Sequence, residues 1–405
     1  MTAAHIACPT RRLPLDGIRV IELSHMVMGP TCGMILGDLG AEVIKVEPPK
    51  GDGTRRLLGA GAGFFRTFNR NKKSVALDLE SPSGRAALLD LVKTADVFVE
   101  NFRPGRMKAI GVDYESLRAV QPSLIYVSHK GFLKGPYEKR LALDEVVQMM
   151  AGLAYMTGPV GRPLRAGSSV NDIMGGMFGA IGVLAALFER RDTGLGKEVQ
   201  SALFENCVLL SAQHMQQYAV TGQAAAPMPE RLNAWAVYDV FDLHGGEQMF
   251  IAATGDEQWK ALCSVIGRED LIAHPDLASN NDRVRARPWM LPTVGDTLRQ
   301  LEGRLLAPQF EERNVPFAAI VRPEQLFDDP HLLQSGGLAT LQVDDGTQTA
   351  MPLLPLSFNG ERLQPRRAIP SIGEHTQEVM RRLGYSQAQL DELAAAGAFA
   401  TPSAP

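Results

Sequence analysis

Asp172 is the residue whose setting most suggests chemistry. It stands immediately before the run Ile173 to Phe188, which carries no other charge and four glycines, Gly175, Gly176, Gly179 and Gly182. A helix apolar on every side is expected to be buried, and its glycines let neighbouring backbone come close. Asp172 is therefore expected at the mouth of the core. An aspartate at a helix start most simply caps it, a contribution of about 1 kcal/mol. The same position also favours the carboxylate over the acid, which is what a nucleophile requires.

The elements around this carboxylate read as α/β. IRVIEL (18–23), AEVIKVE (41–47), KSVALDL (73–79), DVFVEN (96–101) and IYVSHKG (125–131) are short, β-branched apolar runs with helical stretches between most of them. That alternation predicts a parallel sheet. One helix entry is well marked, with Ser81 to cap it and Pro82 at its first position. From about residue 226 the pattern changes: WAVYDVFDL, the turn HGGE and QMFIAAT predict an antiparallel hairpin followed by the helical DEQWKALCSVIG. The expected organisation is an N-terminal extension 1–12, a large domain 13–225, a small domain 226–310, a return to the large domain 311–398 beginning with VPFAAIV, and a frayed tail 399–405.

Composition removes several function classes. With 45% apolar residues, 21% charged residues and a formal net charge of -4, nothing marks a nucleic-acid or anionic-membrane surface. The four cysteines Cys8, Cys32, Cys207 and Cys263 form no CxxC pair, and the histidines show no ligand spacing, so neither a disulfide framework nor a metal site is expected. The first strand-to-helix turn, SHMVMGPTCG, lacks G-x-G-x-x-G, which argues against a dinucleotide enzyme, and there is no Walker loop. No apolar run reaches the ~20 residues of a membrane span, so a soluble, cytoplasmic protein is expected.

Taken in order, LPLDGIRVIELSHMVMGP, LGAEVIKVEPPKGD, NRNKKSVALDL, VENFRPG, SLIYVSHKGF, VNDIMGG with LAALFERRDTGLGKEV, and PSIGEHTQEVMRRLGYS resemble the family III CoA-transferases from about Leu13 to about Gly397. The resemblance implies a Rossmann-like large domain built from both chain ends, an inserted small α+β domain, and two subunits interlocked as a homodimer. It places the family's nucleophilic aspartate on Asp172, within V-x-D-x-x-x-G (Val170, Asp172, Gly176). The implied reaction proceeds through an aspartyl mixed anhydride and an aspartyl-CoA thioester, with CoA as substrate and no tightly bound cofactor. The implied CoA-binding positions are His25, Met26, Lys73, Asn101, Phe102 and Lys130.

Departures from the pattern narrow the expectation further. Val27 and Pro48 stand where formyl-CoA transferases resemble one another in carrying glutamine and arginine, and AAAPMPERLNAW lacks their run of glycines. The segments QMMAGLAYMTGPVGRP and ERLNAWAVYDVF look more like transferases of succinate-type dicarboxylates. A second carboxylate on the acceptor requires a cation, for which Arg165 and Arg231 are the candidates. The α-methylacyl-CoA racemases share this fold but carry Gly-His-Asp where this chain has Ala142, Leu143 and Asp144, so their proton-transferring histidine is missing. A CoA-binding subunit without turnover would keep the same residues.

Overall fold

A computed structural model of the chain describes residues 12–231, 234–343 and 346–399. Cys8, the extension up to residue 11 and the tail from residue 400 lie outside the described residues. Two compact units result, one formed by the chain up to Pro229 together with the chain from His331, the other by Glu230–Pro330.

The first unit is organised on a six-stranded sheet, β1 (Arg19–Leu23), β2 (Glu42–Glu47), β3 (Lys72–Ala76), β4 (Val97–Glu100), β5 (Ile125–Lys130) and β6 (Glu198–Ala202). All neighbours are parallel and the order is β3-β2-β1-β4-β5-β6. Strands β1, β2, β4 and β5 send apolar residues to both sides of the sheet because both faces are covered there. Ile21, Ile44, Val75 and Phe98 pack to one side with the helix Pro82–Val92, whose cap Ser81 accepts from the Gly84 N–H as expected. Val20, Val43, Val97 and Val127 pack to the other side, against Leu36, Ala180 and Val183. The chain end joins this unit: His375 N–H donates to Ser74 O, Asp78 N–H donates to Ala398 O, and Phe399 is buried in the core. Phe399 thus belongs to the packed structure and not to a frayed tail.

The helix after Asp172 spans Val170–Thr193, longer than the apolar run suggested. It is long and apolar enough to cross a membrane, yet it packs against the sheet and the helix Met28–Asp38. Its burial is one-sided. Gly175, Gly176, Gly179, Ala180, Val183 and Ala186 face the unit, whereas Met177, Ile181, Leu184 and Phe188, spaced as one helical face, are exposed. A Cβ on Gly176 would stand 2.5 Å from Thr31 Cβ and 2.6 Å from the Met28 carbonyl oxygen. Gly176→Ala is therefore expected to cost about 1–3 kcal/mol by forcing the two helices apart. An unchanged urea midpoint would show that the packing yields without cost.

The second unit holds the antiparallel sheet β7 (Val237–Asp242), β8 (Gln248–Ala253) and β9 (Phe317–Ala319), with helices Asp256–Val265, Asn280–Leu298 and Gly303–Glu312 closing its core on Trp259, Met290 and Phe310. The hairpin forms at WAVYDVFDL–HGGE–QMFIAAT, with Gly245 and Gly246 at positive φ in its turn. VPFAAIV does not open the return to the large domain. Its strand β9 pairs with β8, and the residues up to Pro330 stay in this unit.

Candidate active site

Strand order reverses between β1 and β4, so the connections that leave their carboxyl ends diverge and open a crevice. The turn 24–27 after β1 and the loop 101–105 after β4 form its two lips. They are joined by Asn101, whose Oδ1 accepts from the His25 N–H at 3.0 Å and whose Nδ2 donates to the His25 carbonyl at 2.7 Å. Phe102 lies edge-on to the His25 ring, centroids 5.0 Å apart. Glu100 fixes the loop by accepting from the Phe102 N–H at 2.8 Å and from the Ser128 hydroxyl. Burial lowers the His25 pKa, so its imidazole is neutral near pH 7.

Beneath the turn is a buried charge network. Lys45 lies 3.6 Å from Glu22 and 3.0 Å from Asp52, and Lys72 lies 2.7 Å from Glu22. Such groups are stable in a core only when paired.

Asp172 is half-buried in the first turn of its helix and does not cap it. Asp144 does so from outside, one carboxylate oxygen accepting from the N–H groups of Asn171 (2.9 Å) and Asp172 (3.0 Å). Gln148 donates to the other oxygen of Asp144 and accepts from the Ala166 N–H at 2.8 Å, which ties helix Asp144–Met150 to the segment before Asp172. The expectation that the helix end would keep Asp172 readily ionised is overturned. Burial first, then the charges of Asp144 and Glu145, push its pKa up to about 7. The sequence shows Asp144 only at the place of a racemase motif, and a contact across 27 residues leaves no local pattern there.

A cavity of about 1010 Å³ has Asp172, His25, Met26, Asn101, Phe102 and Lys130 on its wall, together with Asp144. A second cavity of about 570 Å³ runs between the ends of β1, β2 and β3 and shares His25, Met26, Phe102, Arg106 and Met107 with the first. Although Asn101 lines the crevice, its amide is spent on the His25 backbone. Lys73 is elsewhere. Alternation along β3 sends Lys72 and Lys73 to opposite faces, and Lys73 is buried with Nζ on Glu42 (2.8 Å) and Glu378 (2.9 Å). Arg165 is also outside both cavities, exposed and 3.2 Å from Glu145, and Arg231 belongs to the other compact unit. The cavity-lining cations nearest in sequence to Asp144 are Lys130 and Arg140, the latter over the Tyr137 ring. Among the described residues no group of histidine, cysteine and carboxylate side chains is arranged to hold a metal.

The family model of CoA-transferase family III matches residues 15–376. The chain belongs to that family. It is 32% identical over 388 residues to the succinate–glutarate CoA-transferase of Agrobacterium fabrum, covering 93% of this chain and 97% of that one. It is 39% identical over 279 residues to the acetyl-CoA:oxalate CoA-transferase of Acetobacter aceti, covering 67% and 71% of the two chains. A solved CaiB/BaiF family protein from Brucella suis superposes with a TM-score of 0.84 at 32% identity, over 92% of this chain and 100% of that one. The six-stranded parallel sheet is thus that of the CaiB/BaiF fold. CoA thioesters are the substrates of such an enzyme.

Proposed function

We propose that this family III CoA-transferase moves CoA from succinyl-CoA or a similar donor to a dicarboxylic acid, with Asp172 as the covalent carrier. The observation that carries this reading is Asp172, a carboxylate in the first turn of an apolar helix, on the wall of a cavity that His25, Met26, Asn101, Phe102 and Lys130 also line. The two adjoining cavities have room for a long, two-ended ligand: the nucleotide of CoA in the smaller, flanked by Arg106, and the pantetheine arm and acyl group in the larger. The named activities of the A. fabrum and A. aceti relatives support dicarboxylate acceptors. Lys130 and Arg140 supply positive charge on the cavity wall for a second carboxylate.

In this reading an Asp172 oxygen attacks the thioester carbonyl, the C–S bond breaks, and CoA leaves as thiolate. The thiolate attacks Cγ of the aspartyl anhydride, releasing the donor acid and leaving an aspartyl-CoA thioester. An acceptor carboxylate then attacks Cγ and expels the thiolate, which finally attacks the new acyl carbon and frees Asp172. Transfer potential is conserved throughout, provided that water is kept from the anhydride.

An interlocked homodimer also belongs to the proposal. Its support is the unpartnered face Met177, Ile181, Leu184 and Phe188, together with Leu209, Leu210 and Tyr218, a run of exposed apolar side chains that a second copy would cover. The inserted arrangement of the small domain and a cytoplasmic setting complete it, the free, buried Cys32, Cys207 and Cys263 being suited to a reducing compartment.

Mass spectrometry after mixing with succinyl-CoA, with borohydride or hydroxylamine to trap the thioester, is expected to place a modification on Asp172. CoA binding with no adduct from succinyl-, acetyl- or longer acyl-CoA donors would replace the transferase by a binding protein.

A further inference from the structure

Met26 has a left-handed backbone, φ 63°. The other non-glycine residues of that kind among the described residues are Asn71, Asn314 and Asn359, of the type that enters this region most readily. A methionine persists there only where its neighbours over-determine it. Asn101 holds the His25 backbone before it, and the neighbour that bonds Met26 itself is Thr54. Its Oγ1 accepts from the Met26 N–H at 3.0 Å, and the same hydroxyl points its proton at Met26 Sδ, 3.8 Å away. One hydroxyl therefore fixes both the backbone and the side chain of Met26.

Thr54 is buried and is itself held. Its N–H donates to Asp52 Oδ1 at 2.8 Å, Asp52 pairs with Lys45 at 3.0 Å, and Lys45 Nζ donates to the Ser24 carbonyl at 2.7 Å, closing a ring back onto the same turn. Met26 stands where the two cavities meet, since it lines both. A ligand spanning them must pass it.

We infer that Thr54 is a positioning residue of the transfer reaction: its hydroxyl, backed by Asp52 and Lys45, fixes Met26 at the seam of the two cavities and so sets where the thioester of bound acyl-CoA lies against Asp172. This rests on the transferase reading above. Thr54→Val keeps the shape and removes the hydroxyl, whereas Thr54→Ser keeps the hydroxyl.

The test uses the full chain, with succinyl-CoA as donor and glutarate as acceptor, and counts active subunits by the amplitude of trapped Asp172 adduct. Thr54→Val is expected to lower kcat per active subunit ~10-fold, the loss of one well-placed hydrogen bond, with the KM for glutarate unchanged. Thr54→Ser is expected to keep kcat. A native kcat per active subunit in Thr54→Val, or a loss wholly accounted for by fewer active subunits, overturns the inference. Should Thr54→Val not fold, Met26→Ala is measured in the same way, with the same loss expected and an unchanged kcat decisive against it. Absence of both adduct and exchange in the native protein defeats the transferase reading itself, and is seen before any variant is compared.

Discussion

Asp172→Ala is expected to abolish transfer, lowering kcat/KM by roughly 10⁴-fold or more, because it removes the carboxylate proposed to carry the acyl group covalently. Titration calorimetry should find CoA bound much as before, since Asp172 is proposed to meet only the acyl end. Asp172→Asn carries a second, independent signature. The native carboxyl is held at about 7 against an ordinary 3.8. An acid whose pKa is raised in the folded chain binds more protons folded than unfolded, so its contribution to stability falls as pH rises from about 4 to about 7. The amide escapes this loss. The melting temperature of Asp172→Asn should therefore exceed that of the native protein at pH 8 and match it near pH 4. Retained transfer in Asp172→Ala, or a variant less stable than the native chain at pH 8, would contradict the placement of this carboxylate.

What the sequence revealed divides along physical lines. The buried strands β1 to β5 are legible because parallel strands covered on both faces are short and rich in β-branched apolar residues. β6 was not singled out, since EVQSA at the sheet edge is half polar and partly exposed. VPFAAIV was recognisable as a strand, but a run of that length does not say which sheet it joins; only the pairing of Phe317 with Ile251 does. The apolar helix is legible in the sequence, whereas its one-sided burial is not, because its exposed and its buried residues are equally apolar. Lys73 lies outside both cavities for a period-two reason: one step along β3 exchanges the face toward Glu22 for the face toward Glu378. Asp144, Thr54 and the amide of Asn101 act on turns and helix ends distant in sequence, and no local pattern records such contacts.

Asp144 is where that long-range information matters most, and its replacement by asparagine should move the pH dependence of the enzyme. With the nucleophile at about 7, native kcat/KM is expected to climb with pH and level off above it, because only ionised Asp172 attacks. Asp144 contributes twice. It takes the N–H groups of Asn171 and Asp172 that would otherwise favour a charge at this helix end, and it adds a negative charge beside Asp172. Asp144→Asn keeps an oxygen for the two N–H groups but removes the charge. The apparent pKa should then fall by about one unit and activity at pH 6 should rise roughly fivefold, with little change at pH 8. The new amide also faces Gln148, whose reorientation gives up the bond from the Ala166 N–H, so a small loss of melting temperature should accompany the shift. Asp144→Ala removes acceptor and charge together and frays the first turn, so its kcat should fall across the whole pH range. An asparagine variant whose profile keeps the native midpoint would mean that burial alone sets the pKa of Asp172. In that case Asp144 holds the helix end in place and nothing more.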